Sequence, residues 1–483
     1  MRRKNVRVLF LMLSLLLLMG ALVACSGKDN KQPESTPVNE SKEKETPNGS
    51  STPGSTEGNT EAGQGEQTIE AWGKAIADQY KGTEIKLAFA THPSTEAFQK
   101  MTKSFEELTG IKVRWEVMEQ TYLKNKQLMD TTAKTGTYDV LMIDNFWNDE
   151  YVSKKVVIPL NDYLNDSSLT PSWFAYDDIV PAYRNMFAKQ DGTVYGIPTA
   201  GETRFVAYRK DLFDKYEKQP PKTMDEFLQL AQFFNGKEDG LYGVAMRAQR
   251  GIHFASGLMS TMYNFSDGIL DQQTGEITMN DPKMVAALQY YIDLLQNAPP
   301  DVASYTHEEA VSAFMSGKVA MWLDATAIAP WIIDPNKSQV HDKVGFVPTP
   351  EGPAGRASAL AGWTMGISEH SKNKEAAWAF IIYMNSKVNS KEYIEHGGVL
   401  VRTSQFEDPD VIGDNPMYPV ILEALKDANA LMERGISWVP PHEKLGQLLD
   451  RVGYYGSMAL SKEMSVAEAV EKAQQELEEI VKQ

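Results

Sequence analysis

The chain alternates short apolar runs with longer stretches in which apolar residues recur every three or four positions. Residues 84–90 and 111–117 have the first pattern, typical of strands, and residues 94–108 between them have the second, typical of a helix. Residues 122–133 then predict another helix and residues 139–143 a fully buried strand. Repeated strand–helix–strand units predict an α/β fold with a mainly parallel sheet.

Two loops stand where such a sheet would bind a ligand. In open α/β sheets, ligands bind beyond the carboxyl ends of the strands. His92 follows the first predicted strand, and Asp144 and Trp147 follow the third. These residues are therefore the first candidates for ligand contacts.

Later helix starts carry capping sequences. Thr223, Thr306 and Ser465 each precede a glutamate by three residues, and Asp281 precedes a proline that can occupy the first helical position. We assign these positions to helix stability and give them no chemistry.

The N-terminus has the pattern of an export signal. A basic segment, residues 1–7, precedes an apolar run that ends at Ala24, and Cys25, the single cysteine of the chain, follows directly. Small residues before such a cysteine resemble a bacterial lipobox, in which the thiol is lipidated and the cysteine becomes the first residue of the mature protein. Residues 1–24 are therefore interpreted as a lipoprotein signal peptide and Cys25 as the lipidation site. The alternative is an uncleaved anchor helix with an incidental cysteine.

Residues 25–66 contain almost no apolar side chain besides Val38 and Ala62 and are rich in Ser, Thr, Pro, Gly and Glu. A segment of this kind cannot offset its ordering entropy by burial. We expect a disordered tether that carries a folded body of residues 67–483, and the sequence leaves open whether residues 67–80 join that body.

Composition excludes several functions. The 48 Lys and Arg residues against 65 Asp and Glu give a net charge of −17, which argues against nucleic acid as a partner. One cysteine and 7 scattered histidines leave little for an intrachain disulfide or a metal site. No nucleophile elbow, phosphate-binding loop, dinucleotide fingerprint or zinc-protease helix is present. We therefore predict no catalytic residues, no metal and no cofactor.

Several segments, in their order and spacing, resemble the carbohydrate-type extracellular solute-binding proteins of ABC transporters (family 1). The resemblance runs from about Thr83 to the C-terminus. The segments that carry it are residues 138–144 (YDVLMID), 195–198 (YGIP), 202–213 (ETRFVAYRKDLF), 314–322 (FMSGKVAMW), 345–348 (GFVP), 361–367 (AGWTMGI) and 374–380 (KEAAWAF).

The resemblance implies a two-lobed periplasmic-binding-protein-like fold of type II, with the ligand cleft between lobes joined by crossing segments. The crossings are expected near residues 205–208, 357–360 and 401–404. Lobe 1 would then comprise residues 67–205 and 357–403, and lobe 2 residues 206–356 and 404–483. Closure of the lobes around a solute would produce the form that the transmembrane permease subunits recognise. We expect a monomer, held by its lipid on the outer face of the cell membrane.

Sugar chemistry then selects candidate ligand contacts. Aromatic rings pack on the C–H face of a sugar, and charged groups hydrogen bond to its hydroxyls. The implied ligand-binding residues are Trp363, Glu202, Asp144, Trp147, Trp322, Asp324, His92, Arg402 and Trp438. Each tryptophan could instead be core, and Asp144 or Glu202 could cap a helix. The predicted ligand is a mono- or oligosaccharide or a polyol; the alternatives are a polyamine or peptide binder, or an extracellular glycosidase.

Overall fold

The computed structural model describes residues 67–189, 191–413 and 415–482. The predicted signal peptide, Cys25 and the tether lie outside the described residues. Among the helices that are described, none is both long enough and apolar enough to cross a bilayer.

Strands of the described part form two sheets, and each sheet is the centre of one lobe. The first has the order β2-β1-β3-β9-β4 and the second the order β6-β7-β5-β8. The strands are β1 (Glu84–Ala90), β2 (Lys112–Met118), β3 (Val140–Asp144), β4 (Ile197–Glu202), β5 (Arg204–Arg209), β6 (Tyr242–Ala245), β7 (Val319–Ala325), β8 (Val344–Pro348) and β9 (Ala361–Ile367).

Helices cover both sheets. They are α1 (Ile69–Tyr80), α2 (Pro93–Thr109), α3 (Gln120–Ala133), α4 (Asn148–Ser153), α5 (Asn161–Asn165), α6 (Pro181–Met186), α7 (Lys210–Lys215), α8 (Met224–Phe234), α9 (Ile252–Met262), α10 (Pro282–Leu295), α11 (His307–Met315), α12 (Pro330–Ile333), α13 (Lys374–Met384), α14 (Ser390–Glu395), α15 (Thr403–Glu407), α16 (Pro409–Ile412), α17 (Met417–Glu433), α18 (Leu445–Leu460) and α19 (Val466–Lys482). Short 3₁₀ turns occupy Asn145–Trp147, Ser172–Phe174, Tyr176–Asp178, Val302–Ser304 and Thr326–Ile328.

The expectation of mainly parallel sheets is wrong. β1 pairs with β2 and β3 in parallel, but β9 runs antiparallel to both β3 and β4. In the second sheet β6 and β7 are parallel, whereas β5 is antiparallel to β7 and β8. The physical reason is the path of the chain: β9 returns from the second lobe and enters the first sheet in the opposite direction.

Helix packing assigns the later elements to the lobes. In lobe 1, α13 and α14 pack on α2, and α1 joins them. In lobe 2, α9, α10, α18 and α19 form one packed group, and α17 lies against β5 and β8. The capping boxes at Thr223 and Thr306 and the cap at Asp281 are confirmed.

Residues 67–80, which the sequence left open, contribute α1 to lobe 1. Trp72 is buried, and its ring meets Trp173 edge-on at 5.2 Å and stacks on Tyr383 at 6.3 Å between centroids. Fully burying a large aromatic side chain contributes about 2–3 kcal/mol, so α1 is held to the body by its tryptophan.

The chain first passes between the sheets at a single residue, Thr203, which separates β4 from β5. Its amide donates to Thr326 Oγ1 at 3.0 Å, and its carbonyl accepts from the Thr326 amide at 3.0 Å. Residues 205–208, the predicted crossing, lie within β5. The return runs between β8 and β9, where Ser358 Oγ donates to the Arg204 carbonyl at 3.0 Å.

The third passage comes later than residue 404. Ser404 Oγ donates to Asp178 Oδ2 at 2.6 Å, which holds the start of α15 beside residues of lobe 1. The chain joins lobe 2 with α17, after α16, because only there do its side chains pack on β5 and β8.

Candidate functional site

A small cavity lies between the lobes, next to the crossing at Thr203. All of its lining residues are buried, and its volume is 20 Å³, room for about one water molecule. We call it the inner cavity. Its lining residues are His92, Gln120, Asp144, Asn145, Phe146, Glu202, Arg204, Arg247, Ser256, His307, Ile328, Ala361 and Trp363.

Asp144 reaches the inner cavity because β3 ends there. Its Oδ1 accepts a hydrogen bond from the Phe146 amide at 3.0 Å, which caps the 3₁₀ turn at Asn145–Trp147. Its Oδ2 accepts from Gln120 Nε2 at 2.5 Å. Asp144 therefore both caps a helical turn and faces the cavity.

Glu202 and His92 form the adjoining wall. His92 N-caps α2 through its Nδ1, which accepts from the Ser94 amide at 3.2 Å. This bond turns His92 Nε2 toward Glu202 Oε1, at 3.7 Å. Two elements of lobe 1, the end of β4 and the start of α2, thus present an acid and an imidazole side by side.

Two arginines balance the acids. Arg247 Nε donates to both oxygens of Asp324, at 2.9 and 2.7 Å, and Arg247 Nη2 lies 2.7 Å from Oδ1. Arg204 places Nη1 3.4 Å from Glu202 Oε2 and Nε 4.0 Å from Asp324 Oδ1. Buried charges persist when they are paired and hydrogen bonded, and this chain of contacts provides both.

The two cavity carboxylates differ in proton affinity. Burial, reinforced by the charge of Glu202, raises the pKa of Asp144 to about 7. Burial also acts on Glu202, but the neighbouring His92 and the charges of Arg204 and Arg247 outweigh it and lower the pKa of Glu202. At neutral pH Glu202 is ionised, and Asp144 titrates.

Three buried polar atoms around the cavity have no hydrogen-bond partner in the described part of the chain: His92 Nε2, Ser256 Oγ and His307 Nε2. Burial and the nearby charge of Arg247 lower the pKa of His307 to about 3, so its imidazole is neutral at ordinary pH. Buried polar atoms are normally satisfied, and these three belong to residues that line a cavity with room for about one water molecule.

Trp363 supplies an aromatic wall. It follows Gly362 in β9, opposite Asp144 in the strand register, and its ring lies 5.8 Å from that of His92. Trp147 stands behind it, edge-on at 5.8 Å. The cavity thus combines one aromatic face with a surrounding set of charged and polar groups.

Comparison with known proteins identifies the family of this chain. A model of the bacterial extracellular solute-binding proteins matches residues 89–391. The chain belongs to this family. Its two lobes, each built on one sheet, are those of the sugar-binding members of known structure.

Individual relatives have named ligands. A mannitol-binding protein of Pseudomonas aeruginosa is 27% identical over 410 residues, covering 81% of this chain and 91% of that protein. A probable amino-acid ABC transporter periplasmic-binding protein of Sinorhizobium fredii is 25% identical over 365 residues, 73% of this chain and 80% of that protein. A solute-binding protein of Agrobacterium radiobacter K84, solved with ribitol, is 27% identical with a TM-score of 0.77, covering 83% of this chain and 99% of that one.

In this solute-binding protein the residues singled out from the sequence fall into three groups. Those that line the inner cavity are His92, Asp144, Glu202 and Trp363. Those that contact its lining from behind are Trp147, Asp324 and Trp438: Trp147 packs on Trp363, Asp324 binds Arg247, and the Trp438 ring lies 4.9 Å from the Arg204 guanidinium. Trp322 and Arg402 lie elsewhere.

Trp322 is fully buried in the core of lobe 2, where its ring meets Phe205 at 6.4 Å. Arg402 is buried in lobe 1 and donates to the carbonyls of Phe174 and Ala175, at 2.9 and 2.7 Å, and to that of Asn385. The sequence placed both near a ligand, but the structure puts them in the interior, where one fills a core and the other satisfies loop carbonyls.

Sequence reasoning missed Arg204, Arg247, Gln120, Ser256 and His307. Arg247 follows β6 closely, so the rule that ligands bind at carboxyl ends of strands would have found it. Arg204 begins β5 and precedes four consecutive apolar or aromatic residues, which is itself a signal. Gln120, Ser256 and His307 lie on helices whose sequence carries only capping or core patterns.

Arg402→Met should lower the free energy of unfolding by about 3 kcal/mol, because it leaves three carbonyls and the carboxylate of Asp178 without their guanidinium. Solute affinity should not change. Urea unfolding and titration calorimetry measure the two quantities. Arg114→Met, at an exposed pair with Glu84, is the matched control and should cost under about 1 kcal/mol. Lost affinity in a folded Arg402→Met protein would contradict this placement.

Asp144→Asn should change how stability depends on pH. The pKa of Asp144 is about 7 when folded against an ordinary 3.8, so the native state binds the extra proton. Its contribution is greatest below pH 4 and is lost as pH rises to 7 and beyond, by up to about 4 kcal/mol. Wild-type stability should therefore fall relative to Asp144→Asn across this range in chemical unfolding series. Parallel pH profiles would contradict the assignment.

Proposed function

We propose that this protein is the substrate-binding component of an ABC importer and that it captures a short neutral polyol, or a sugar of similar size, by closure of its lobes. It would then deliver the solute to a membrane permease. The observation that carries the proposal is the inner cavity, in which three unpartnered polar atoms and two ion-paired arginines surround a small space.

A polyol can supply the hydrogen-bond partners that the polar groups of this cavity lack. Each hydroxyl can donate one hydrogen bond and accept others, so a chain of hydroxyls can serve carboxylate, imidazole and guanidinium groups together. Glu202 and Asp144 would accept, Arg204 and Arg247 would donate, and Trp363 would cover the carbon chain. The mannitol and ribitol ligands of relatives 27% identical to this chain support the same class.

Charge favours a neutral ligand over the other classes. Asp324 already binds Arg247, Glu202 lies beside Arg204, and burial raises the pKa of Asp144 to about 7, so these groups do not call for a fully charged solute. A polyamine would meet two guanidinium groups. An amino acid, suggested by one relative, would bring two further charges into a site whose arginines are already paired with Glu202 and Asp324.

Capture of the solute by lobe closure is supported by the lining residues, which come from both lobes. His92, Asp144 and Glu202 belong to lobe 1, whereas Arg247, Ser256 and His307 belong to lobe 2. A ligand that bonds to both sets stabilises the closed form over the open one. Since 20 Å³ is too small for a polyol, entry requires hinge motion at the crossings.

The anchor is part of the proposal and rests on the sequence. Cys25 directly follows an apolar export segment, and residues 25–66 have the composition of a flexible tether. A lipid on Cys25 would hold the binding body on the outer face of the membrane, beside the permease.

Short polyols should raise the melting temperature of the purified protein in a screen that also contains pyranoses, oligosaccharides, amino acids and polyamines. At 100 times Kd, a ligand stabilises by about 2.7 kcal/mol. Glu202→Gln should weaken the strongest binder by roughly 10- to 100-fold, the value of a hydrogen bond to a charged group. Glu116→Gln, on β2 and paired with Lys86, is the matched control.

If amino acids or polyamines are the only compounds that stabilise the protein, the proposed solute class is refuted, while the fold assignment stands. A polyol that is cleaved or altered after binding would contradict a pure binding role. Equal affinity of Glu202→Gln and wild type would remove Glu202 from the site.

Cys25→Ser tests the anchor. In a bacterial host fed radiolabelled palmitate, the wild-type chain should take up label and sediment with membranes, because lipidation requires the thiol. The Cys25→Ser chain should take up none. Label on the Cys25→Ser chain, or none on the wild type, would contradict the lipoprotein proposal.

A further inference from the structure

A second, much larger opening lies beside the inner cavity. It has a volume of 660 Å³ and runs between the lobes, lined from lobe 1 by residues that include Met186 and from lobe 2 by Met432, Trp438 and Pro440. We call it the outer groove. It has the space for a further sugar ring, and the inner cavity does not.

Two residues, Asn145 and Phe146, line both spaces. Asn145 is tied down, since its Oδ1 accepts from the Gly362 amide at 3.3 Å. The Phe146 ring crosses to lobe 2 and meets the Trp438 ring at 5.5 Å between centroids. These two rings, one from each lobe, form a wall between the inner cavity and the outer groove.

The wall is held in place from both sides. The Phe146 amide donates to Asp144 at 3.0 Å, so the ring is attached to a residue of the inner cavity. The Trp438 carbonyl accepts from Tyr263 Oη at 3.0 Å, and its ring covers the guanidinium of Arg204. Phe146 is 6% exposed and Trp438 is 3% exposed. An extended ligand could not pass from one space to the other without displacing a packed ring.

We propose that Phe146 sets the upper size of the ligand, with Trp438 as its partner across the cleft. This inference rests on the proposed function and specifies the substrate class: unsubstituted polyols bind, and the same polyols bearing a glycosyl group are rejected. Removing the Phe146 ring would join the inner cavity to the outer groove and let the glycosyl group occupy the groove.

The test compares sorbitol with maltitol, which is sorbitol carrying one glucosyl ring, by titration calorimetry on the purified full-length protein in detergent. Wild type should bind maltitol roughly 100-fold more weakly than sorbitol, the discrimination that a close-fitting apolar wall can supply. Phe146→Ala should reduce this ratio below about tenfold, through a gain in maltitol affinity. Phe146→Leu, which preserves more of the packing, should give an intermediate ratio.

Met432→Ala is the matched control, because Met432 lines the outer groove alone and is 45% exposed. It should keep the wild-type ratio. Equal binding of both compounds by wild type, or a folded Phe146 variant that binds sorbitol and gains no maltitol affinity, would overturn the role of Phe146 and leave the proposed function intact. If wild type binds neither sorbitol, maltitol nor any other polyol or sugar, the role of Phe146 and the proposed function are both refuted. Where Phe146→Ala fails to fold, the ratio measured for Phe146→Leu decides the matter.

Discussion

The single-residue crossing at Thr203 is the constraint on which the site depends. Because β4 of one lobe and β5 of the other are separated by one residue, Glu202 and Arg204 are neighbours although they belong to different sheets. The crossing is tied to lobe 2 through Thr326 and to the return passage through Ser358. The charged centre of the cavity therefore lies at the crossing itself.

Charge pairing offsets the free-energy cost of burying the charged side chains of the cavity. Five charged side chains lie within the protein at the hinge: Asp144, Glu202, Arg204, Arg247 and Asp324, each under a tenth exposed. Burying an isolated charge is strongly unfavourable, so each must find a partner. Asp324 holds Arg247 and approaches Arg204, and it thereby acts as a positioning residue. Asp144 has the weakest compensation, which is why its pKa rises while that of Glu202 and of Asp324 falls.

The sequence predicted the local elements better than their assembly. β1 matches its apolar run residue for residue, and the capped helices begin at their marked positions. Antiparallel pairing of β9 was not visible, since strand direction depends on where the chain returns from lobe 2. For the site, strand ends identified His92 and Asp144, and the family resemblance identified Glu202 and Trp363. Ser256 and His307 could not be found, because the packing of helices against the cleft decides which of their faces meets it.

Trp322 and Arg402 are residues that the sequence predicted at the site and that the structure places in the interior. Trp322 stands in a segment that resembles the family, and Arg402 was selected by its expected position in that family. One is core and the other supports loop carbonyls, and both roles depend on contacts distant in the chain. A motif therefore locates a residue along the fold without deciding whether it faces the ligand.

The most direct test of the account is a crystal structure of the protein grown with the short polyol that binds it most tightly. The polyol should lie inside an enlarged inner cavity, with hydroxyls within hydrogen-bond distance of Glu202, Arg204 and Arg247 and with the Phe146 ring still between it and the outer groove. A polyol bound in the outer groove, with the inner cavity unchanged, would contradict it.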